Sequence, residues 1–182
     1  IFKEAYKHEL FRTIIASPDH TVPATNISEE RYFYNTNALI SNLYRWGYVY
    51  DSCVGGKTGT TEEAGGCLVS VAEKNDTLLI SVVLGSGDVE RDGNIKKGQF
   101  TESAKQFEYG FNNFKRITIT RGDEPVDKVA VTLSREADEV MVKPQGSITR
   151  TLPIDIDLNA IESEITLFSD SVEAPVEQGQ VL

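Results

Sequence analysis

Val54-Gly55-Gly56-Lys57-Thr58-Gly59-Thr60-Thr61 decides how the rest of the chain is read. Its β-branched residues and short length predict a strand over Val54–Thr60. Three glycines inside a strand are unfavourable unless another backbone or a ligand must come close. Two further strands are predicted directly after it, Gly66–Lys74 and Thr77–Leu84. The connections Thr61-Glu62-Glu63-Ala64 and Asn75-Asp76 are turn sequences, so the three strands form an antiparallel meander. The tripeptide Lys57-Thr58-Gly59 is weak evidence by itself. Its placement on a glycine-flanked strand with a hairpin partner raises its weight.

Upstream of this strand, Phe2, Tyr6, Leu10, Phe11, Ile14 and Ile15 recur at helical spacing, shared between two short helices that Ser17-Pro18-Asp19 ends. His20–Pro23 is short and extended. Asn35 or Thr36 is expected to cap a helix running through Ala38, Leu39, Ile40 and Leu43 to Gly47. Downstream, Gly85–Gly98 reads as a polar glycine-rich loop, and Thr101–Phe114 returns to helical spacing. From Ile117 onward the period changes to two. Ile117–Ile119, Lys128–Leu133, Val140–Val142 and Ile165–Phe168 are strand candidates, separated by turn signals at Arg121-Gly122-Asp123, Pro144-Gln145-Gly146 and Pro153.

Charge changes at the same place. Residues 1–117 carry 13 basic and 15 acidic side chains, whereas residues 118–182 carry 5 and 13. The expectation is therefore an α+β chain in two modules. Residues 1–116 form an antiparallel sheet with helices, and residues 117–182 a small all-β sandwich. The net charge of −10 argues against nucleic acid, whose phosphates need clustered Lys and Arg.

No apolar run approaches the roughly 20 residues that span a bilayer. Cys53 and Cys67 make no disulfide framework and read as small buried residues. With two distant histidines, His8 and His20, they lack zinc spacing, so no metal or organic cofactor is expected. No Gly-x-Ser-x-Gly elbow occurs. The acidic pairs Glu29-Glu30 and Glu62-Glu63 read as exposed turn charges rather than a glycosidase pair. The aromatic run Tyr32 to Tyr50 reads as core and groove packing.

The longer stretch Gly56-Lys57-Thr58-Gly59-Thr60-Thr61-Glu62-Glu63-Ala64-Gly65-Gly66-Cys67-Leu68-Val69 resembles the serine D-alanyl-D-alanine carboxypeptidases, the low-molecular-mass penicillin-binding proteins. Their pattern is Gly-x-Lys-Thr-Gly-(Tyr/Thr)-Thr-x-x-Ala-Gly-x-Cys-Leu-Val, and Lys-Thr-Gly is among their signatures. Val22-Pro23-Ala24-Thr25-Asn26 and Tyr34-Asn35-Thr36-Asn37-Ala38-Leu39 resemble the family's preceding segment, and Leu79–Gly85 its following strand. Phe107-Glu108-Tyr109-Gly110-Phe111 resembles its closing helix. Ala174-Pro175 through Gly179-Gln180-Val181 resembles an element of its C-terminal β-domain.

The resemblance implies a serine that attacks the penultimate D-alanine carbonyl of the peptidoglycan stem peptide ending in D-Ala-D-Ala, with β-lactams acylating the same serine. It implies that Lys57 supplies positive charge beside the nucleophile, and that Thr58 holds the terminal carboxylate. The Thr60 N–H is an oxyanion donor, and Gly59 lies on the edge that pairs with substrate. Arg91 lies in a loop where the family often has a further carboxylate-binding cation.

Two of the family's motifs do not occur in these residues. No serine is followed three positions later by lysine, and no serine or tyrosine two positions later by asparagine. The chain begins at Ile1 inside a helical pattern and is expected to be an excerpt, cut at both ends, of an exported and membrane-anchored parent. Its partner would then be the N-terminal half of the catalytic domain, and it would be inactive alone. The alternatives are a non-catalytic wall-binding or interaction module on the same fold, and a class A β-lactamase. The acidic β-module counts against the latter.

Overall fold

The computed structural model describes residues 1–42, 47–91 and 93–181. The chain divides into two compact units, Ile1–Asn113 and Phe114–Leu182. The architecture is α+β, with helices confined to the first unit apart from one short 3₁₀ turn at Leu158–Ala160.

The first unit opens with α1 (Phe2–Ala5) and α2 (Glu9–Ala16). The Arg12 guanidinium donates to the carbonyls of Tyr6 and Lys7 and ties the two helices together. Ser17, before Pro18, is extended and ends α2, as sterics at an X-Pro step favour. A two-stranded ribbon follows, β1 (Asp19–Val22) against β2 (Arg31–Tyr34). Next come β3 (Cys53–Thr61), β4 (Gly65–Lys74) and β5 (Thr77–Ser86), an antiparallel sheet in the order β3-β4-β5.

The region expected as a glycine-rich loop instead contains a hairpin, β6 (Asp88–Arg91) and β7 (Asn94–Lys97). Its sequence between the paired Arg91 and Asn94 is Asp-Gly, a preferred two-residue hairpin connection. Lys97 Nζ donates to both Asp88 carboxylate oxygens at 2.9 Å across its base. Helix α3 (Gly98–Asn113) then packs on β4 and β5.

The core of this unit lies between α3 and the sheet. Ala38, Leu39, Tyr48, Cys53, Leu68, Ala72, Phe100 and Phe107 form one buried cluster. Alternation along β5 sends Thr77, Ser81 and Val83 inward, while Leu78, Ile80, Val82 and Leu84 point out and stay exposed.

The expected helix from Asn35 to Gly47 is not formed where the structure describes it. Ala38–Ile40 is a turn. Asn35 and Asn37 account for this. The Asn35 Oδ1 takes the Asn37 amide at 2.9 Å, and the Asn37 Oδ1 takes the Leu39 amide at 3.1 Å. Such local side-chain acceptors compete with helical hydrogen bonding. Residues 43–46, which carry the rest of that expectation, lie outside the described residues.

The second unit is all-β. β8 (Phe114–Thr120) pairs with β11 (Ile148–Pro153), and β9 (Asp127–Thr132) lies between β10 (Glu139–Val142) and β12 (Ser171–Glu173). Among the described residues every strand pair is antiparallel except β12 with β9, which is parallel. Ile165–Phe168 is not a strand. It has the period but no ladder partner, and Phe168 remains 87% exposed. β11 and β12 were not expected. Pro153, read as a turn residue, closes β11 at its end, where no further ladder donor is needed.

Tyr50 reports on the seam between the sheet and α3. Its ring stacks on Phe107 at 5.7 Å, and burial, followed by a hydrogen bond to Glu108 and that carboxylate's charge, pushes its phenol up to about 12 from 10.0. A phenol raised in the folded state contributes stability that is whole below the unfolded pKa and is lost as pH rises through the folded one. Stability therefore falls between pH 10 and about 12. Tyr50→Phe is expected to flatten that part of the curve in denaturant unfolding measured against pH, and to remove the last phase of an ultraviolet phenolate titration.

Candidate active-site strand

The strand β3 is built by close approach. A register shift lies between Cys53 and Gly55, and Gly55 has a φ of +151°. A Cβ on Gly55 would lie 2.8 Å from Ile15 Cγ1 of α2. On Gly56 it would lie 2.6 Å from the Val69 carbonyl oxygen and 2.8 Å from Asn37 Nδ2. The contact of Gly56 with the Val69 carbonyl is with backbone and cannot be relieved by a rotamer change, and at Gly55 the positive φ adds strain to the clash with the Ile15 side chain. These two glycines thus answer the question that the sequence raised: other parts of the protein occupy the space.

Gly59 is different. Nothing lies within 4 Å of the position its Cβ would take. It faces Cys67 across the ladder, with Lys57 opposite Val69, Thr58 opposite Leu68 and Thr60 opposite Gly66. By strand alternation Lys57 and Gly59 share one face, and Thr58 and Thr60 the other. Lys57, Gly59 and Thr60 are exposed, and Thr58 is half-buried. β3 stands at the edge of its sheet, with β4 as its ladder partner. The other edge of β3 has no strand partner among the described residues, and an edge of that kind is one to which an extended peptide can add.

Lys57 Nζ donates to the Thr58 carbonyl and makes no ion pair among the described residues. The Thr58 hydroxyl lies 2.5 Å from the hydroxyl of Thr36. Thr36 comes from the segment between β2 and β3, which is held by its neighbours. Asn35 Nδ2 donates to the carbonyls of Ile15 at 3.4 Å and Ser17 at 3.0 Å. Ser41 Oγ donates to the Asn35 carbonyl at 2.7 Å. Asn37 is fully buried, against Gly56 and Cys53. The sequence offers Asn35 or Thr36 as a helix cap and does not bring Thr36 to the site. The signal available was the pair of asparagines flanking a threonine, each able to fix backbone groups locally.

Both cysteines are free thiols. Burial pushes the Cys53 thiol up, and contacts with Gly55 and Asn37 only partly offset this. Cys53 is thus a packing residue rather than a nucleophile. Cys67 is half-buried and donates to the Ala64 carbonyl at 3.5 Å. Arg91 ends β6; its side chain lies outside the described residues. His8 and His20 are exposed.

This strand and its neighbours recur in known proteins. Residues 4–88 match the profile of the D-alanyl-D-alanine carboxypeptidase family. DacC of Escherichia coli (strain K12), a D-alanyl-D-alanine carboxypeptidase, is 33% identical over 137 residues, covering 70% of this chain and 30% of its own length. DacF of Bacillus subtilis (strain 168), likewise named, is 26% identical over 163 residues, covering 86% of this chain and 36% of itself. Among solved structures, penicillin binding protein 5 from Haemophilus influenzae superposes with a TM-score of 0.62 at 22% identity, over 96% of this chain and 45% of its own. A peptidoglycan synthesis regulatory factor from Streptococcus pneumoniae superposes with 0.64 at 21% identity, over 98% and 45%.

Over residues 4–88 the chain belongs to the D-alanyl-D-alanine carboxypeptidase family. It spans about a third of the length of the curated relatives it matches.

The contrast between two glycines of β3 is testable. Gly56→Ala is expected to destabilise the fold by about 3 kcal/mol or more, since backbone must move. Gly59→Ala is expected to stay within roughly 0.5 kcal/mol of the parent sequence. Urea unfolding of the two variants compares them directly.

Proposed function

We propose that this chain supplies the substrate-binding wall of a serine D-alanyl-D-alanine carboxypeptidase acting in peptidoglycan maturation. The observation that carries the reading is Lys57-Thr58-Gly59 on an edge strand, with the lysine exposed and in no ion pair among the described residues, in a chain that matches that family. An extended peptide adds to the free edge of β3 by backbone hydrogen bonding, and Gly59 leaves room for it to lie close. Thr58 takes the terminal carboxylate of the D-Ala-D-Ala stem. Lys57 brings a positive charge to the side where the attacking oxygen and the tetrahedral intermediate carry negative charge. The Thr60 N–H donates to the oxyanion.

The serine and the lysine that activates it come from polypeptide outside these 182 residues, because no Ser-x-x-Lys occurs within them. The serine attacks the carbonyl of the penultimate D-alanine, terminal D-alanine leaves, and water hydrolyses the acyl-enzyme. β-Lactams acylate the same serine and stall the cycle. The exposed apolar row Leu78, Ile80, Val82 and Leu84 supports a further layer of the parent over that side of the sheet. Peptidoglycan as the substrate puts the working protein outside the cytoplasmic membrane, and the reading includes a membrane-anchored parent. No helix among the described residues is long and apolar enough to cross a bilayer. Residues 114–182 add an acidic β-unit as spacer or partner surface.

The protein carrying this chain together with its nucleophile is expected to release D-alanine from a pentapeptide stem and to be labelled covalently by a fluorescent penicillin. Lys57→Ala is expected to lower the labelling rate roughly 100-fold or more, the scale of losing one electrostatic group at such a site. The isolated 182 residues are expected to take no label. A covalent band on the isolated chain would show that the nucleophile lies within it. Wall binding by the nucleophile-bearing protein without D-alanine release would favour a non-catalytic binding module.

A further inference from the structure

We propose that Thr36 is a positioning residue for Thr58, fixing the direction in which Thr58 offers its proton to the carboxylate of the substrate. The proposal rests on the carboxypeptidase reading above and adds a residue to it. The two hydroxyl oxygens lie 2.5 Å apart, joining positions 22 residues apart in sequence. That separation is at the short end of the range for O–H···O bonds.

Each hydroxyl has one proton and two acceptor lone pairs. Two arrangements follow. If Thr58 donates to Thr36, no Thr58 proton is left for a ligand. If Thr36 donates to Thr58, the Thr58 proton is free and points away from Thr36. A carboxylate only accepts, so its binding selects the second arrangement. The incoming Thr36 bond then polarises the Thr58 hydroxyl and strengthens its bond to the anion, since hydrogen bonds in a chain reinforce one another.

Thr36 is suited to this because both of its neighbours are anchored. Asn35 is tied to the Ile15 and Ser17 carbonyls, and Asn37 is fully buried against the space over Gly56. The backbone between them is held, while the Thr36 side chain itself is exposed. An exposed threonine contributes little by packing, so stability does not account for a hydroxyl aimed at the strand. Among the described residues the Thr58 hydroxyl has no hydrogen-bond partner from its own strand. An unrestrained hydroxyl rotor spreads its proton over three staggered directions, and two of them are lost to the ligand.

The test uses the nucleophile-bearing protein with two substrates, a peptide ending in D-Ala-D-Ala and the same peptide with a C-terminal carboxamide. Thr36→Val keeps the shape and removes the hydroxyl. On the acid it is expected to raise KM roughly tenfold with kcat within about twofold, the scale of one net hydrogen bond. On the carboxamide, which lacks the anion, it is expected to change KM by less than about twofold. Thr36→Ser is expected to restore the acid kinetics, and thermal unfolding of both variants to match the parent.

Three results would overturn the proposal: parental kinetics for Thr36→Val on the acid, equal losses on acid and carboxamide, or failure of the serine to restore. Should the unsubstituted protein neither release D-alanine nor react with penicillin, the carboxypeptidase reading fails first, and the role of Thr36 falls with it.

Discussion

The first unit depends on the absence of a side chain at Gly56. The backbones of β3 and β4 and the amide of Asn37 converge there until no Cβ fits. That convergence brings the segment carrying Asn35, Thr36 and Asn37 onto β3, and the neighbouring Gly55 admits Ile15 of α2 in the same way. Three pieces of chain far apart in sequence are thereby fixed against one short strand. The residues that follow on that strand, Lys57 to Thr60, inherit a rigid base while remaining open to solvent. Rigid backbone below and free surface above is the arrangement a binding strand needs, because ordering has already been achieved before a ligand arrives.

The electrostatics point the same way. Lys57 is an exposed cation in a chain of net charge −10. In water a contact between two unit charges is worth only about 1 kcal/mol, and it grows several-fold where solvent is excluded. An open strand alone therefore holds a carboxylate weakly. In the proposed carboxypeptidase site the same residues would become effective once other walls removed water around them. A site divided between separate stretches of polypeptide has this property by construction, and its chemistry appears only when the stretches are assembled.

Much of this was legible in the sequence. The three-strand meander, the closing helix and the change to period two after residue 117 follow from local alternation and turn chemistry, which act over a few residues. Lys57, Thr58 and Thr60 stand out through the resemblance of their stretch to the serine D-alanyl-D-alanine carboxypeptidase pattern, and the glycines on the strand add weight to it. The reason for two of them was not legible: Gly55 and Gly56 accommodate Ile15, Val69 and Asn37 rather than a ligand, and only the packed structure distinguishes them from Gly59. The Asn35–Ser41 turn was misread as a helix because its apolar residues have helical spacing. The side-chain acceptors that dismantle the helix act within two residues. The β6–β7 hairpin was hidden by its polar composition although Asp-Gly marked it. Thr36 has only its flanking asparagines to mark it in the sequence, since its partner lies 22 residues away.

The outward side of β5 has a further consequence. Leu78, Ile80, Val82 and Leu84 form an uninterrupted greasy stripe, with Leu84 72% exposed, on a strand at the end of its sheet. No charge interrupts the stripe, and lysines or prolines are the usual guards of such a border. Handled as a separate polypeptide, this chain presents a template for its own copies, face to face through the leucines and edge to edge through unpaired amides.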